Sequence, residues 1–377
     1  MPEFYEFFAG GGMARAGLGQ EWTCRFANDF DEKKGASYVA NWGNNDFKLG
    51  DVAKIAVGDL PGHSDLAWAS FPCQDLSLAG ARAGLRGDRS GTFWPFWDLM
   101  RGLKAAHRAP RMIVLENVCG LLTSAEGQDF AALASAIADL DYQFGAVVID
   151  AVHFVPQSRA RLFVIAVAPD VELPNGIVRN DPSGLWHPRN LVEAKFRLPK
   201  PAQDRWLWWN IPAPPNRTQI FADLIEEVPT GTNWHSEAET QALIDMMSLV
   251  NREKVQSAQR SGQRRVGALY RRTRNGVQRA EVRFDDVAGC LRTPRGGSSR
   301  QSILVVDGER VRSRLLSSRE AARLMGLPEE YVLPEKYNDA YHLVGDGLVV
   351  SVIAHLEQHV LSPIARLNAA RTEIAAA

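Results

Sequence analysis

The chain has 377 residues, 45% of them hydrophobic and 23% charged, which is typical of a globular protein with two domains or one large domain carrying an insertion. No stretch approaches the ~18 uninterrupted apolar residues of a membrane span, and the N-terminus lacks the basic flank of a signal peptide. The formal net charge is −1, and the four cysteines are widely spaced with no C-x-x-C pair, which argues against a disulfide framework or a metal site and fits a reducing cytoplasm.

The first part of the chain alternates short apolar runs with helical periods. "FYEFFAG", "TCRFAND", "SDLAWAS", "RMIVLENV" and "RLFVIAVA" are typical of strands, and "DEKKGASYVANW" and "FAALASAIADL" are typical of helices. Runs such as MIVL and LFVIAVA are apolar throughout, as in a sheet that is covered on both faces. This alternation predicts a doubly wound, Rossmann-like α/β domain with a mostly parallel sheet.

The character of the chain changes after Pro169. Residues 174–234 hold five of the ten tryptophans and show weak periodicity. Residues 252–319 carry 17 Lys and Arg against 6 Asp and Glu, and 16 of the 17 are arginine, whereas residues 1–168 carry 15 against 19. Arginine suits phosphate groups and guanine edges better than lysine does, so this segment indicates a polyanionic partner. A merely solvated basic face is the alternative.

Regular structure is expected again in "LLSSREAARLMGLPEEY". There Ser317 and Glu320 form a predicted capping box, and Gly326 ends the predicted helix. A last helix over residues 347–361 is apolar enough to pack onto the α/β domain. The chain is therefore expected to leave the first domain and return to it.

A glycine-rich stretch, FAGGG at residues 8–12, follows the first predicted strand, where a ligand can approach backbone without side-chain obstruction. The dinucleotide pattern G-x-G-x-x-G fails because Arg15 stands at the third glycine position. Asp29 ends the second predicted strand, where an acid can accept hydrogen bonds from ribose hydroxyls, and Asp51 is placed to meet an adenine amine. Taken alone, the glycines could form a tight turn, and each aspartate could be a helix N-cap. The glycine stretch, Asp29 and Asp51 in this order together indicate an adenosine-containing cofactor.

A single cysteine, Cys73, follows the fourth predicted strand in "LAWASFPCQDLSLAG". A thiolate is a strong nucleophile toward an electron-poor carbon, although a lone buried cysteine is more often inert packing. Glu116 ends the next strong strand and is expected at the same sheet edge. Arg159 and Arg161, two residues apart on extended chain, are expected to share one face that suits an anionic or carbonyl-bearing substrate. Together these residues predict a nucleophile, an acid and a cationic clamp in one crevice.

At this point the chain resembles the cytosine-5 DNA methyltransferases over nearly its whole length. "FAGGGMARAGLG" is similar to their first motif, "SFPCQDLSLAG" to the catalytic cysteine motif, "ENV" to the glutamate motif, "QSRARLF" to the Q-R-R motif and "YHLVGDGLVVSVIAHL" to the closing motif. Order and spacing match as well. The resemblance implies an enzyme that flips a target cytosine out of the duplex.

The resemblance also implies the chemistry. Cys73 would attack C6 of the cytosine while Glu116 protonates or hydrogen-bonds N3. C5 would then take a methyl group from S-adenosyl-L-methionine, and loss of the C5 proton would expel the cysteine. Arg159 and Arg161 would hold the base carbonyl and the flanking backbone.

The family pattern assigns further residues to the cofactor and to DNA. Phe8 would stack near the adenosine, the glycines would admit the methionine portion, and Asp29 and Asp51 would hold ribose and adenine. The expected cofactor site comprises Phe8, Gly10, Gly11, Gly12, Asp29, Phe30, Asp51, Val52, Pro72, Asp346 and Gly347. The expected DNA-contacting residues are Gln74, Ser77, Asn117, Gln157, Arg292, Arg295 and Arg300.

The change of composition and periodicity after Pro169 predicts the domain organisation. A catalytic and cofactor-binding domain is expected over 1–180, completed by 316–377, and a smaller, irregular target-recognition domain over 181–315. The glycine-punctuated segment 82–93 resembles the loop that closes over flipped DNA.

The chain departs from the family pattern in two places. Gly345-Asp346-Gly347 stands where Gly-Asn-Ser is usual, so residue 346 accepts but does not donate a hydrogen bond. Phe154 stands where a glycine is frequent, a change that removes no reactive group.

Double-stranded DNA is the expected partner, and the expected enzyme is a cytoplasmic bacterial monomer that accompanies a restriction endonuclease. A tRNA cytosine-5 methyltransferase and a catalytically silent DNA-binding relative are the alternatives. The recognition region, rich in Trp and Arg, favours DNA, and the intact Cys73, Glu116, Arg159 and Arg161 argue against a silent relative. A nicotinamide-dependent dehydrogenase is disfavoured by the failed glycine pattern.

Overall fold

The computed structural model describes residues 1–72, 92–274, 276–292 and 300–376. The chain forms two compact units. Unit 1 comprises Met1–Ile149, Ala160–Pro214 and Val352–Ala377, and unit 2 comprises Asp150–Arg159 and Pro215–Ser351. The role of residues 181–315 in target recognition stays a prediction.

The described strands and helices follow in chain order. The strands are β1 (Glu3–Phe7), β2 (Thr23–Asp29), β3 (Phe47–Leu49), β4 (Leu66–Ala69), β5 (Met112–Val118), β6 (Gln143–Asp150), β7 (Ala160–Val167), β8 (Val178–Arg179), β9 (Trp208–Trp209), β10 (Arg265–Arg274), β11 (Val277–Arg283), β12 (Ser302–Asp307) and β13 (Arg310–Leu315). The α-helices are α1 (Met13–Leu18), α2 (Glu32–Trp42), α3 (Phe93–Ala105), α4 (Gln128–Asp139), α5 (Arg189–Phe196), α6 (Lys200–Asp204), α7 (Glu237–Asp245), α8 (Leu249–Arg260), α9 (Ser318–Leu324), α10 (Tyr337–Asp346), α11 (Val350–Leu356) and α12 (Ser362–Ala376).

Unit 1 is built on a seven-stranded sheet with the strand order β3-β2-β1-β4-β5-β7-β6. The pairs β1–β2, β1–β4, β2–β3 and β4–β5 are parallel, and β5–β7 is antiparallel. All four residues of β4 are buried, as expected of a strand that is covered on both faces. The predicted mostly parallel α/β domain is confirmed.

The parallel pairing brings the carboxyl ends of several strands to one edge of the sheet. Strand order reverses between β1 and β4, since β2 and β3 extend to one side of β1 and β4 and β5 to the other. Ligands of open α/β sheets bind outside the carboxyl ends at such a switch point. Helices α3 and α4 bury apolar faces in the same core cluster as β1, β4 and β5.

Unit 2 contains a four-stranded antiparallel sheet with the order β11-β10-β12-β13. The sequence predicted a smaller, irregular domain over residues 181–315, and this regular sheet lies within that range. A separate core lies on this sheet, and helices α7 and α8 precede β10. The predicted capping box is confirmed, since the Ser317 side chain accepts from the Glu320 amide and the Glu320 carboxyl accepts from the Ser317 amide.

The C-terminal helical run, Tyr337–Arg371, is long and apolar enough by composition to cross a membrane. Of its most apolar window, 61% is buried in the protein, as in the core helix of a globular fold. The run contains a π-helical turn at Glu357–Leu361 between α11 and α12.

A buried ion pair holds α9 to β13 in unit 2. Both Arg314 and Glu320 side chains are fully buried, and the guanidinium donates to the two carboxyl oxygens at 2.7 and 2.6 Å. Arg314 also donates to the Glu226 carbonyl at 2.8 Å. The bidentate geometry offsets much of the cost of burying both charges.

We expect Glu320→Gln to lower the free energy of unfolding by about 3–5 kcal/mol, because it leaves a buried guanidinium without its counter-charge. Chemical denaturation at neutral pH measures this loss. Asp98→Asn is the matched control, since Asp98 forms an exposed ion pair with Arg101 and should change stability very little. Equal losses in the two variants would contradict the role of the buried pair.

Candidate active site

The glycine turn at residues 8–12 leaves β1 in a constrained backbone conformation. Phe8 has a φ of 57°, which is uncommon for a residue with a side chain, and Gly10 and Gly12 have φ values of 56° and 77°. A Cβ atom added at Gly10 would meet nothing within 4 Å, so open space adjoins the turn there. Left-handed residues of this kind cluster at ligand sites, where surrounding contacts hold them in place.

Gly12 has a packing requirement of its own. An added Cβ would lie 2.3 Å from Nε1 of Trp42 and 3.0 Å from the Tyr38 ring. The Trp42 indole donates a hydrogen bond to the Gly11 carbonyl at 3.0 Å. Arg15, which replaces the third glycine of the dinucleotide pattern, places its guanidinium 5.2 Å from the Trp42 ring. The turn is therefore supported from α2.

Asp29 ends β2 as predicted and is 7% exposed. Its Oδ2 accepts from the Gly10 amide at 2.8 Å, and its Oδ1 accepts from the Asp31 amide at 2.9 Å. Burial raises the pKa of Asp29, and the amides of Asp31 and Gly10 oppose that rise. One carboxylate thus joins the end of β2 to the glycine turn.

Asp51 follows β3 by two residues and is exposed, with its carboxyl accepting from the Ala53 amide at 3.0 Å. Val52 is buried in the core, whereas the Phe30 ring, next to Asp29, is 69% exposed. An exposed aromatic ring, an exposed acid and an open glycine turn at the ends of β1 to β3 fit an adenosine-containing group.

Glu6 lies on β1 before the glycine turn and is 1% exposed. Burial raises its pKa to about 8, against the charge of Arg15 and the backbone amides of Arg15 and Ala14, which favour the carboxylate. Its Oε2 has no hydrogen-bond partner among the described residues. A carboxyl group is thus buried under the first turn of α1.

The strand ends β4 and β5 lie side by side, with Ala69 paired to Leu115. Beyond this pair, the Asn117 side-chain amide donates to the Phe71 carbonyl at 3.3 Å. Phe71 and Pro72 are the last described residues before the next described segment begins at residue 92. Four predicted site residues lie outside the described residues, as do positions 82–91 of the predicted closing loop: Cys73, Gln74, Ser77 and Arg295.

Glu116 and Arg161 are brought together on neighbouring antiparallel strands of unit 1. The Glu116 carboxyl lies 3.3 Å from Nε of Arg161, and their side chains are 10% and 18% exposed. The positive charge of Arg161 thus lies beside the Glu116 carboxyl group, near the C-terminal end of β5. Such a pair can hold the acid in one orientation.

Arg159 is placed differently, in unit 2, and is 4% exposed. Its guanidinium donates to the carbonyls of Leu291, Gly345 and Gly347 at 3.1, 3.1 and 2.7 Å and to the Cys290 sulfur at 3.3 Å. These contacts make Arg159 a support for the backbone on both sides of Asp346, whose side chain is exposed.

Gln157 is also buried in unit 2. Its amide nitrogen donates to the Leu324 carbonyl at 2.8 Å, and its amide oxygen accepts from the Leu291 amide at 3.1 Å. Arg292 is exposed, and the Arg300 guanidinium lies 5.5 Å from the Tyr337 ring. In the part of the chain that the structure describes, no group of three His, Cys, Asp or Glu side chains could hold a metal ion.

Three residues of this edge have no role in the predictions made from the sequence: Glu6, Asn28 and Trp42. Glu6 interrupts an apolar strand, which was an available signal of a special polar role. Asn28 lies inside a predicted strand, and Trp42 is the last residue of a predicted helix. The side-chain hydrogen bonds of these two residues join segments 20 or more residues apart, so no local pattern predicted them.

The fold is a Rossmann-like α/β domain, and its candidate ligand site lies at the carboxyl ends of the parallel strands. A sequence profile described as "C-5 cytosine-specific DNA methylase" matches residues 3–362. The chain is 28% identical over 353 residues to Type II methyltransferase M.BsuFI of Bacillus subtilis, covering 93% of this chain and 70% of that one. It is 25% identical to Type II methyltransferase M.HhaI of Haemophilus parahaemolyticus, covering 96% and 94%.

Solved structures share the fold. Dnmt2 methyltransferase of S. pombe matches with a TM-score of 0.59 at 17% identity, covering 96% of this chain and 99% of that one. The methyltransferase EhMeth of Entamoeba histolytica matches with a TM-score of 0.62 at 14% identity, covering 96% and 98%. The chain belongs to the family of C-5 cytosine-specific DNA methylases. The predicted family and enzyme class are confirmed.

We expect Glu6 to make the stability of the fold depend on pH. Its pKa in the fold, about 8, lies above its ordinary value of 4.5, so folding favours the protonated acid. The associated stability is fully present below pH 4.5 and is lost as pH rises through about 8. We expect Glu6→Gln to remove this part of the decline, as measured by denaturation midpoints between pH 5 and pH 9.

The exposed Glu21 provides the control, because Glu21→Gln should keep the wild-type pH dependence. A Glu6→Gln protein whose stability falls with pH as steeply as that of wild type would rule out the raised pKa.

Proposed function

We propose that this chain is a sequence-specific DNA (cytosine-5)-methyltransferase that uses S-adenosyl-L-methionine. The chemistry is supported by the Glu116–Arg161 pair at the end of β5 and by the Asn117 bond to the Phe71 carbonyl, two residues before Cys73 in the chain. Bound S-adenosyl-L-methionine would supply an electrophilic methyl group on its sulfonium sulfur. Asp29, Phe30, Asp51 and the glycine turn would hold its adenosine and methionine parts.

In the proposed mechanism, Cys73 as a thiolate forms a bond from Sγ to C6 of an extruded cytosine. The electron pair of the C5–C6 double bond moves toward N3, where Glu116 provides a proton or hydrogen bond so that negative charge does not accumulate. Arg161 orients Glu116. C5 would then take the methyl group, leaving the cofactor as a neutral thioether. The C5 proton would then pass to solvent as the Sγ–C6 bond breaks, N3 would return its proton to Glu116, and Cys73 would be released as the thiolate.

The DNA substrate is supported by a two-stranded ribbon in unit 2, here called the arginine ribbon (residues 270–274 and 276–279). Strand β12 pairs with β10 only as far as Leu269, whereas β10 and β11 continue to the pair Arg274–Val277. Residues 271–273 and 276–279 are all exposed, so both faces of the arginine ribbon are open to solvent.

The arginine ribbon is suited in shape and charge to double-stranded DNA. Arg271, Arg272 and Arg279 lie along it, and Arg272 pairs across the strands with Arg279. The major groove of B-form DNA admits a two-stranded ribbon, while the deep, narrow major groove of A-form RNA does not. This observation favours DNA over tRNA as the substrate. The biological setting we propose is a cytoplasmic, monomeric bacterial enzyme at the nucleoid that accompanies a restriction endonuclease.

Labelled methyl transfer tests the function directly. The purified chain should transfer methyl groups from S-adenosyl-L-methionine to C5 of cytosine in duplex DNA of mixed sequence, and not to tRNA. Bisulfite sequencing of DNA from cells with and without the protein would then identify the target sequence. Transfer to tRNA alone would establish the RNA alternative, and transfer to neither would contradict the proposal.

Cys73→Ser should abolish methyl transfer but leave S-adenosyl-L-methionine binding nearly intact, because a hydroxyl is a far weaker nucleophile than a thiolate. Wild type should also form a stable covalent adduct with DNA that contains 5-fluorocytosine, whose fluorine cannot leave as a proton does. Cys119→Ser is the matched control and should keep activity. Turnover by the Cys73→Ser enzyme would refute the nucleophile assignment.

Replacing Arg271, Arg272 and Arg279 by Ala should weaken DNA binding and reduce the dependence of affinity on salt. The slope of log K against log salt concentration is negative, and each lost phosphate contact makes it less steep by about 0.9. Fluorescence anisotropy at several salt concentrations measures both effects.

A second triple variant removes the same charge from unit 1: Arg101, Arg189 and Arg366 to Ala. These side chains are 65%, 92% and 71% exposed. It should bind DNA as wild type does. A common effect in both triple variants would mean that net charge, and not the arginine ribbon, governs DNA binding.

A further inference from the structure

Asn28 lies at the carboxyl end of β2 and is 1% exposed. Its side-chain amide donates to two backbone carbonyls, those of Lys48 and Gly50, at 2.8 and 2.9 Å. Its own carbonyl accepts from the Ala9 amide at 2.9 Å. One residue therefore bonds both to the glycine turn after β1 and to the turn that carries Asp51 after β3.

Hydrogen bonds of the next residue, Asp29, join the same two turns. The Gly50 amide donates to the Asp29 carbonyl at 2.9 Å, and the Asp29 carboxylate accepts from the Gly10 amide. Gly50 has a φ of 151° and lies at a bend in the chain between Leu49 and Asp51. The three strand ends are thus joined by hydrogen bonds from both the backbone and the side chains of residues 28 and 29.

The side-chain amide of Asn28 is the part of this arrangement that a substitution can remove. Strand β3 is three residues long and two of them are exposed, so its own pairing with β2 is brief. The two amide bonds act where that pairing ends. They hold the turn before Asp51 at a point where the Lys48 and Leu49 side chains are exposed.

We propose that Asn28 is a positioning residue for the cofactor. Its amide sets the distance between the glycine turn and Asp51, the two features to which the proposed function assigns the ends of S-adenosyl-L-methionine. Asn28 does not itself touch the ligand. This inference rests on the proposed function, since it concerns how that cofactor is held.

The test is Asn28→Asp, which keeps the shape of the side chain but replaces the donating amide with a carboxylate facing two carbonyls. The dissociation constant and the KM for S-adenosyl-L-methionine should rise about tenfold or more, because both hydrogen bonds are lost and the turn is repelled. At saturating cofactor, kcat should stay near the wild-type value. Calorimetric titration and steady-state kinetics of the full chain measure these quantities.

Asn368→Asp is a closely matched control. The Asn368 amide also donates to two backbone carbonyls, those of Glu172 and Ile364, at 2.9 and 2.8 Å, and the residue is 7% exposed. The two variants should lose similar stability, but Asn368→Asp should bind S-adenosyl-L-methionine as wild type does. Where Asn28→Asp does not fold, Asn28→Ala and Asn368→Ala replace the two variants in the same comparison.

Asp51→Ala provides a second readout. If Asn28 acts through the Asp51 turn, the effects of Asn28→Asp and Asp51→Ala on the dissociation constant will be non-additive in the double variant. Equal cofactor affinity in the Asn28 and Asn368 variants, or full additivity with Asp51→Ala, would overturn the inference. A wild-type chain that fails to bind S-adenosyl-L-methionine would instead overturn the proposed function.

Discussion

Parallel pairing of β1 with both β2 and β4 is the constraint on which the candidate site depends. Because parallel strands all end at the same edge, residues that follow different strands become neighbours without being close in sequence. The glycine turn, Asp29 and Glu116 reach this edge from three separate strands. Parallel strands need crossover connections, which run through helices that cover the faces of the sheet, so the ends of the strands remain the place where a ligand can enter.

Polar groups at this edge are buried, and burial is unfavourable unless their hydrogen bonds are made. The carboxylate of Asp29 and the amide of Asn28 form hydrogen bonds with backbone groups of adjacent turns. Glu6 differs, since burial raises its pKa and its Oε2 has no hydrogen-bond partner among the described residues. The edge therefore combines hydrogen-bonded turns with one acid whose protonated form is favoured by burial. Turns held in this way can position a ligand with little further loss of backbone freedom on binding.

Unit 2 also contains buried charged groups whose hydrogen bonds are made within the fold. The buried Arg314–Glu320 pair and the bonds of Arg159 to the backbone around Asp346 fix a scaffold from within. The arginine ribbon extends beyond this scaffold with both faces exposed. Positive charge held on a rigid antiparallel base can approach phosphate with little loss of backbone freedom. Rigid support and an exposed ribbon together suit recognition of duplex DNA.

Local patterns in the chain were enough to predict the α/β class, the end of β2 at Asp29, the capping box at Ser317 and the family. Each depends on short-range periodicity or on residues close together in sequence, where side-chain direction follows from helix and strand geometry. The partners of Arg159 could not be predicted in that way. The sequence suggested that it shares a face with Arg161, but folding directs its guanidinium to carbonyls more than 130 residues away. Gly12 was expected to admit a ligand. In the structure a glycine is also required there because a Cβ atom would clash with the Trp42 ring. The four-stranded sheet of unit 2 and the bonds of Asn28 likewise arise from contacts between distant segments, because long-range pairing depends on which surfaces meet after the chain has collapsed, and no local pattern records that choice.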